Sequence, residues 1–339
     1  MPKRITVVLS QGQSNNPQKR TLEETIVAEL IAVEGINLLV IPHIYDLHTD
    51  SSGMIALQNI GGDFVLLSWL YARAAHWTLD RQNIRGHLGE TSLKSPWDQR
   101  KRKWEKQTAD YRPAADTPRV LDDRPAPSRT IYHLDLRSYE DANVFVDEIK
   151  RLATEHDTQV TTLGGEFGEA NDAAVPSTPL APPAAKAEPT IFEGGKSRRW
   201  YPVIDFSRCT NCMECVDFCL FGVYGIDQQE TILVEQPDKC RKGCPACSRI
   251  CPENAIIFPQ HKTPAIAGDP SIGGEMKIDL SQLFGKPSET DLAASERDQH
   301  LKLAGRQPVN SSTRSAPSSN GTQKDELDDL IDELDELDL

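Results

Sequence analysis

Cys209-Thr-Asn-Cys212-Met-Glu-Cys215-Val-Asp-Phe-Cys219 and Cys240-Arg-Lys-Gly-Cys244-Pro-Ala-Cys247-Ser-Arg-Ile-Cys251-Pro252 hold all eight cysteines of the 339-residue chain. A secreted protein stapled by disulfides is usually short and spreads its bridges across the fold, whereas these thiols are confined to one segment. The chain starts Met-Pro-Lys-Arg and continues Ile5-Thr-Val-Val-Leu9. That apolar run is too short for a signal-peptide core and lacks a small-residue cleavage site, so no export is expected and the expected location is the cytoplasm. Cysteines clustered in an unexported chain read as metal ligands kept reduced.

Two metals suit such a set. Structural zinc sites take four thiolates, usually as two paired knuckles, and that reading makes the segment a zinc-stapled interaction module. Here each run supplies a triplet plus one further thiol, a pattern that favours iron–sulfur clusters. In the first run, three thiolates at two-residue gaps can wrap a loop around three irons of a cubane, while the fourth sits on the following helical turn and points away.

Over about 199–262 the chain resembles the bacterial-type two-cluster ferredoxins. The resemblance implies two 4Fe-4S clusters, one held by Cys209, Cys212, Cys215 and Cys251, the other by Cys240, Cys244, Cys247 and Cys219. It also implies that Tyr201–Asp205 and Ala255–Phe258 are short paired strands, with Gly222–Ile226 and Thr231–Val234 forming the hairpin between the runs. Two positions depart from the family pattern: Cys240 and Cys244 are separated by three residues instead of two, and Leu220 stands where proline usually follows the fourth cysteine. Gly243 suits the longer loop, because glycine takes backbone angles other residues avoid. Cubanes bound only by thiolates carry one electron each and leave no open iron for substrate, so the resemblance implies electron transfer, at low potential.

Outward from this segment the pattern changes. Residues 1–160 read as an α/β domain with a small, mostly parallel sheet. Ile5–Leu9, Asn37–Ile41, Phe64–Leu67 and Thr130–Leu134 are the candidate strands. A capping box at Thr21–Glu24 introduces a helix bearing Ile26, Val27, Leu30 and Ile31. Ser138 and Asp141 introduce another, with Ala142, Phe145, Val146, Ile149, Leu152 and Ala153 on one face. A polar insertion at about 91–128 carries Lys94, Arg100, Lys101, Arg102, Lys103 and Lys106 beside Trp97 and Trp104. Residues 161–198 are rich in proline and alanine and read as a linker. Residues 263–339 read as a largely disordered tail ending in an acidic amphipathic helix at 324–339, where Leu327, Leu330, Ile331, Leu334 and Leu337 form a stripe without a local core.

The N-terminal domain has neither a GxGxxG fingerprint nor a Walker P-loop. Its strands end in Ser10–Asn16, in Pro42–His48 with His43, Tyr45 and His48, and toward Tyr71, Arg73, His76 and Trp77. At the carboxyl edge of a parallel sheet such residues either converge on a ligand or are ordinary loop residues. No third ligand at recognisable spacing accompanies His43 and His48.

The net charge of −14 argues against nucleic-acid binding, and more than half of it lies in the last sixteen positions. The longest apolar stretch, 26–44, is broken by Glu29 and Glu34 and falls short of a membrane span. The expected function is that of an electron carrier or redox subunit more than a free-standing enzyme, working with a redox partner protein that could dock on the acidic helix. The alternative is an oxidoreductase subunit whose α/β domain binds a substrate or cofactor.

Overall fold

A strand buried on both faces needs a continuous apolar run, because neither set of alternating side chains meets water. The computed structural model, which describes residues 5–93, 118–124, 127–163, 188–193, 197–269 and 289–306, places three such runs at the centre of a sheet as β1 (Ile5–Ser10), β2 (Ile36–Ile41) and β3 (Phe64–Ser68). β4 (His87–Leu88), β5 (Thr130–Asp135) and β6 (Thr190–Ile191) complete it in the order β4-β5-β3-β1-β2-β6. Every described pairing within it is parallel, with Val8 opposite Leu39 on one side and Leu66 on the other.

Alternate residues divide between two cores. Val7, Leu9, Leu38, Val40, Val65, Leu67 and Leu134 face α1 (Pro17–Ile31) and α4 (Ala142–Leu163). Val8, Leu39, Ile41, Leu66 and Ile131 face α2 (Ser52–Gln58) and α3 (Ala72–Arg81). The α/β reading of the sequence therefore holds, with one local correction. Helix α1 does not start at the Thr21–Glu24 capping box: Asn16 is its N-cap, accepting from Gln18 N at 2.9 Å, and Pro17 is its first residue. Proline at that place has no N–H to lose and a preset φ. Thr21 then lies inside the helix, where its carbonyl accepts from Thr25 Oγ1 at 2.7 Å. At the start of α4 the cap is Asp141, whose carboxylate accepts from Asn143 N at 2.9 Å.

The cysteine segment folds as the resemblance implied. β7 (Val203–Ile204) pairs antiparallel with β10 (Ile256–Ile257), and β8 (Tyr224–Ile226) with β9 (Ile232–Val234). Each cysteine run leads into a short helix, α5 (Glu214–Phe218) or α6 (Ala246–Ile250), and these two pack on each other.

This module is not separated from the sheet. Tyr201, Val203, Ile204, Phe206, Ile257 and Phe258 share one core with Val8, Leu66, Ala74 and Trp77, and residues Met1–Arg297 form one compact unit. Burial of each such aromatic or branched side chain contributes roughly 1.5–3 kcal/mol. Of the stretch read as a linker, Thr190–Ile191 adds to the sheet beside β2, and Phe192 N donates to Val40 O at 2.8 Å. An edge with unpaired backbone groups offers any extended segment hydrogen bonds, which composition alone does not reveal. The module ends in α7 (Pro264–Ala267) and Gly268, whose φ is +98° and where a Cβ would lie 3.0 Å from the Ala74 Cβ. Only glycine fits that approach of the module to α3.

Helix α8 (Glu289–Leu303) follows. The second unit, 298–339, is described as far as Arg306. There Gly305 at φ +72°, with Arg306 N donating to Leu301 O at 3.0 Å, ends the helix. The basic cluster of Lys94 to Lys106 and the acidic helix at 324–339 lie outside the described residues. Among the described residues no helix is long and apolar enough to cross a membrane.

Candidate metal centre

Each cysteine loop is shaped by backbone angles that few residues adopt. In the first run Asn211 and Met213 have φ of 59° and 63°, in the left-handed region. The Asn211 side chain holds that conformation by donating to Glu230 O at 2.8 Å and accepting from Ile232 N at 3.0 Å, which ties the loop to β9. Asp205, at 1% exposure, anchors the start of the loop. Its carboxylate accepts from Ser207 N at 2.9 Å, and its carbonyl accepts from Cys209 N at 3.0 Å. In the second run Gly243 has φ +85°, so the extra residue between Cys240 and Cys244 is absorbed by a glycine in a conformation that suits it.

These loops bring the thiols together in two sets. Burial pushes the Cys209 thiol up to about 11, and the neighbouring sulfurs of Cys251 and Cys212 add to the effect. Cys215 is raised further, by burial and then by Cys251, Cys209 and Cys212. Cys240 is raised by burial and then by Cys244 and Cys219. Cys244 is raised to about 11 by burial, with Cys219 contributing. Cys247 is also raised well above the usual thiol value by burial, with Cys240, Cys219 and Cys244 adding, while a hydrogen bond from Tyr224 opposes the shift. The last cysteine of each run therefore sits with the first three of the other. Cys219, Cys240, Cys244 and Cys247 line one cavity, walled by Phe218, Tyr224 and Arg297. All eight sulfurs are free of disulfides, and Cys212 is exposed.

The donor set fits a soft, positively charged group. Buried thiols whose ionisation is opposed by burial and by one another become thiolates only when a metal repays the charge. Donors already aim at sulfur, among them Tyr224 OH at 3.1 Å from Cys247 Sγ and Ala255 N at 3.3 Å from Cys251 Sγ, with the backbone N–H groups of Asn211 and Ala246 directed at Cys209 and Cys244. Among the described residues, no three His, Cys, Asp or Glu side chains are placed to hold a single metal ion.

The carboxyl edge of the sheet, the alternative ligand site in the sequence, is largely taken up by the module and by the domain's own groups. Tyr45 and Tyr201 stack at 4.2 Å between ring centroids, with Tyr201 N donating to Tyr45 OH at 2.7 Å. Arg73 pairs with buried Asp205 and donates to Asn254 O at 2.6 Å. Trp77 meets Phe206 edge-on at 5.8 Å. Asp46 accepts from Arg199 N at 3.0 Å, and Arg199 forks onto Asp238 at 2.9 and 3.0 Å. In the loop after β1 the Glu23 carboxylate fills the space, accepting from Gly12 N at 2.6 Å and Trp69 Nε1 at 2.7 Å. His76 Nδ1 lies 3.2 Å from His133 Nε2, and burial lowers both rings' pKa values. His43 lies 3.8 Å from Asp46, and burial, then Arg198, brings it down to about 4, so this is not an ion pair at neutral pH.

Sequence reading singled out the eight cysteines. It missed Tyr224 as a donor to sulfur and Arg297 as part of the cavity wall, because neither belongs to a motif. It also missed the role of Tyr45 and Arg73 in holding the module, although it had placed both at the right edge.

Comparison with known proteins finds relatives among the ferredoxins. In its C-terminal part the chain is similar to an uncharacterized ferredoxin of Methanocaldococcus jannaschii, 47% identical over 76 residues, which are 21% of this chain and 51% of the relative. It is also similar to pyruvate synthase subunit PorD of the same organism, 36% identical over 74 residues, 20% of this chain and 84% of the relative. The chain thus spans about half the length of the first of these and most of the second. No family model and no solved structure matches it. Over that fifth of its length, the chain belongs to the ferredoxin family that includes pyruvate synthase subunit PorD.

Proposed function

We propose that the chain is an iron–sulfur electron-transfer protein that carries two 4Fe-4S clusters and exchanges single electrons with a redox enzyme. Cys209, Cys212, Cys215 and Cys251 would hold the first cluster, and Cys219, Cys240, Cys244 and Cys247 the second. The observation that carries this reading is the sorting of eight thiols, all but Cys212 buried or half-buried, into two sets of four that cross between the runs. The triplet-plus-one spacing of each run favours a cubane over the paired knuckles usual for zinc. Zinc draws its thiolates to about 2.3 Å from one centre, whereas a cubane spreads them around a cage.

Each cluster would supply a one-electron couple. The chain's own residues fix its surroundings. Tyr224 and Ala255 N donate to sulfur, which favours the more negative, reduced state. Tyr45, Arg73 and Arg199 hold the module on the α/β body. The relative's name, pyruvate synthase subunit, points to an oxidoreductase assembly as the partner.

The test is the anaerobically purified full-length chain. The expected result is brown protein with about eight irons, four per cubane, that a low-potential reductant bleaches and an oxidant restores. Stoichiometric zinc in a colourless, folded protein sinks the proposal.

A further inference from the structure

The cavity formed by Cys219, Cys240, Cys244 and Cys247 has a wall that comes from beyond the cysteine module. Arg297, on helix α8, lines it together with those sulfurs. Its guanidinium carbon lies 4.7 Å from the centre of the Phe218 ring, and Phe218 directly precedes Cys219. One turn earlier on the helix, Ala293 is fully buried against Cys244 and Ala246. The preceding residue, Glu296, pairs with Arg249 Nε at 3.0 Å and adds a small opposing charge beside Cys244. A guanidinium, a planar and weakly hydrated cation, is therefore held beside one thiol set.

We propose that Arg297 is a tuning residue that raises the reduction potential of the cluster held by Cys219, Cys240, Cys244 and Cys247 and leaves the other cluster's potential unchanged. The inference rests on the two-cluster reading above. Reduction adds one negative charge to the site, and a fixed positive charge beside it stabilises that form. The Cys209, Cys212, Cys215 and Cys251 set has its own charged surroundings in Asp205, Arg73 and Arg208.

The experiment is a potentiometric titration of the full-length, cluster-loaded protein, followed by electron paramagnetic resonance, for the wild type, Arg297→Gln and Arg297→Lys. The step belonging to the second cluster is the one missing in Cys219→Ser. Arg297→Gln is expected to move that step to lower potential by about tenfold in its equilibrium constant, about 59 mV for one electron, with the other step unmoved. Arg297→Lys is expected to recover most of the shift. If Arg297→Gln leaves the step in place at full iron content, or moves both steps equally, the tuning role is overturned while the two-cluster reading stands. If the wild type holds no iron, both fall.

Discussion

Tyr45 and Tyr201 are bound to each other at both ends: the Tyr45 hydroxyl meets the backbone N–H and carbonyl of Tyr201, and the Tyr201 hydroxyl donates to Tyr45 O at 2.8 Å. Both are fully buried, one in the loop after β2 and the other at the entrance to the cysteine module. The pair is the most direct joint between the α/β body and the ferredoxin segment.

Tyr45→Phe strands a buried N–H and carbonyl at once, whereas Tyr201→Phe strands one carbonyl. Unsatisfied buried groups cost about 1–3 kcal/mol, so Tyr45→Phe is expected to lose about 2–3 kcal/mol in urea unfolding and Tyr201→Phe about 1. Equal losses would show that the reciprocal arrangement carries no extra weight.

Alkaline pH probes the same joint. Burial raises the Tyr201 hydroxyl from 10.0 to about 12, so the folded state keeps a proton that the unfolded chain gives up. The contribution is complete below pH 10 and is lost as pH rises from 10 toward 12. Stability curves are expected to fall through that window in the wild type and less steeply in Tyr201→Phe.

Acid acts through His43. Its pKa falls from 6.5 to about 4 on burial, so the unfolded chain takes up a proton first. Its contribution is present above pH 6.5 and is lost as pH falls toward 4, roughly 3 kcal/mol in total. His43→Gln is expected to flatten the pH dependence of unfolding between those values.

Arg73 and Asp205 are the joint's ionic element. Arg73→Met leaves the Asp205 carboxylate, at 1% exposure, without its closest cation, and breaking such a pair costs about 3–5 kcal/mol. Arg73→Lys is expected to recover only part of this, since a single ammonium cannot also bond Asn254 O in the guanidinium's geometry. Chemical denaturation of the three proteins checks both expectations.

Crossed ligation has its own signature. Cys251→Ser is expected to abolish the same electron paramagnetic resonance signal as Cys212→Ser, and Cys219→Ser the same signal as Cys240→Ser. Each should leave about half of the iron. If Cys251→Ser instead removes the signal lost in Cys247→Ser, the assignment of sulfurs to clusters is wrong.

How much of this was written in the chain follows from the range over which each signal acts. Cysteine spacing is local and chemically narrow, so the thiols and their hairpins could be read directly. The runs at 5–9, 37–41 and 64–67 announced buried parallel strands for the same reason. The start of α1 was misplaced because two capping signals lay close together and the proline decided between them. The joint was invisible: Tyr45 and Tyr201, or Arg73 and Asp205, are far apart in the chain, and nothing near either member marks its partner. Arg297 lies outside any motif, and contacts distant in sequence bring it to the sulfurs: Ala293 packed against Cys244, Glu296 paired with Arg249, and its own guanidinium over Phe218.

The shared core also fixes the aspect that the cysteine module presents. A domain swinging on a tether finds its acceptor through high local concentration and samples many orientations. A domain mortised into its platform offers one face, and an incoming protein must strike that face in the right attitude, which sets encounter rates by orientation. The platform behaves as a mount that chooses which side of the ferredoxin the outside world can reach.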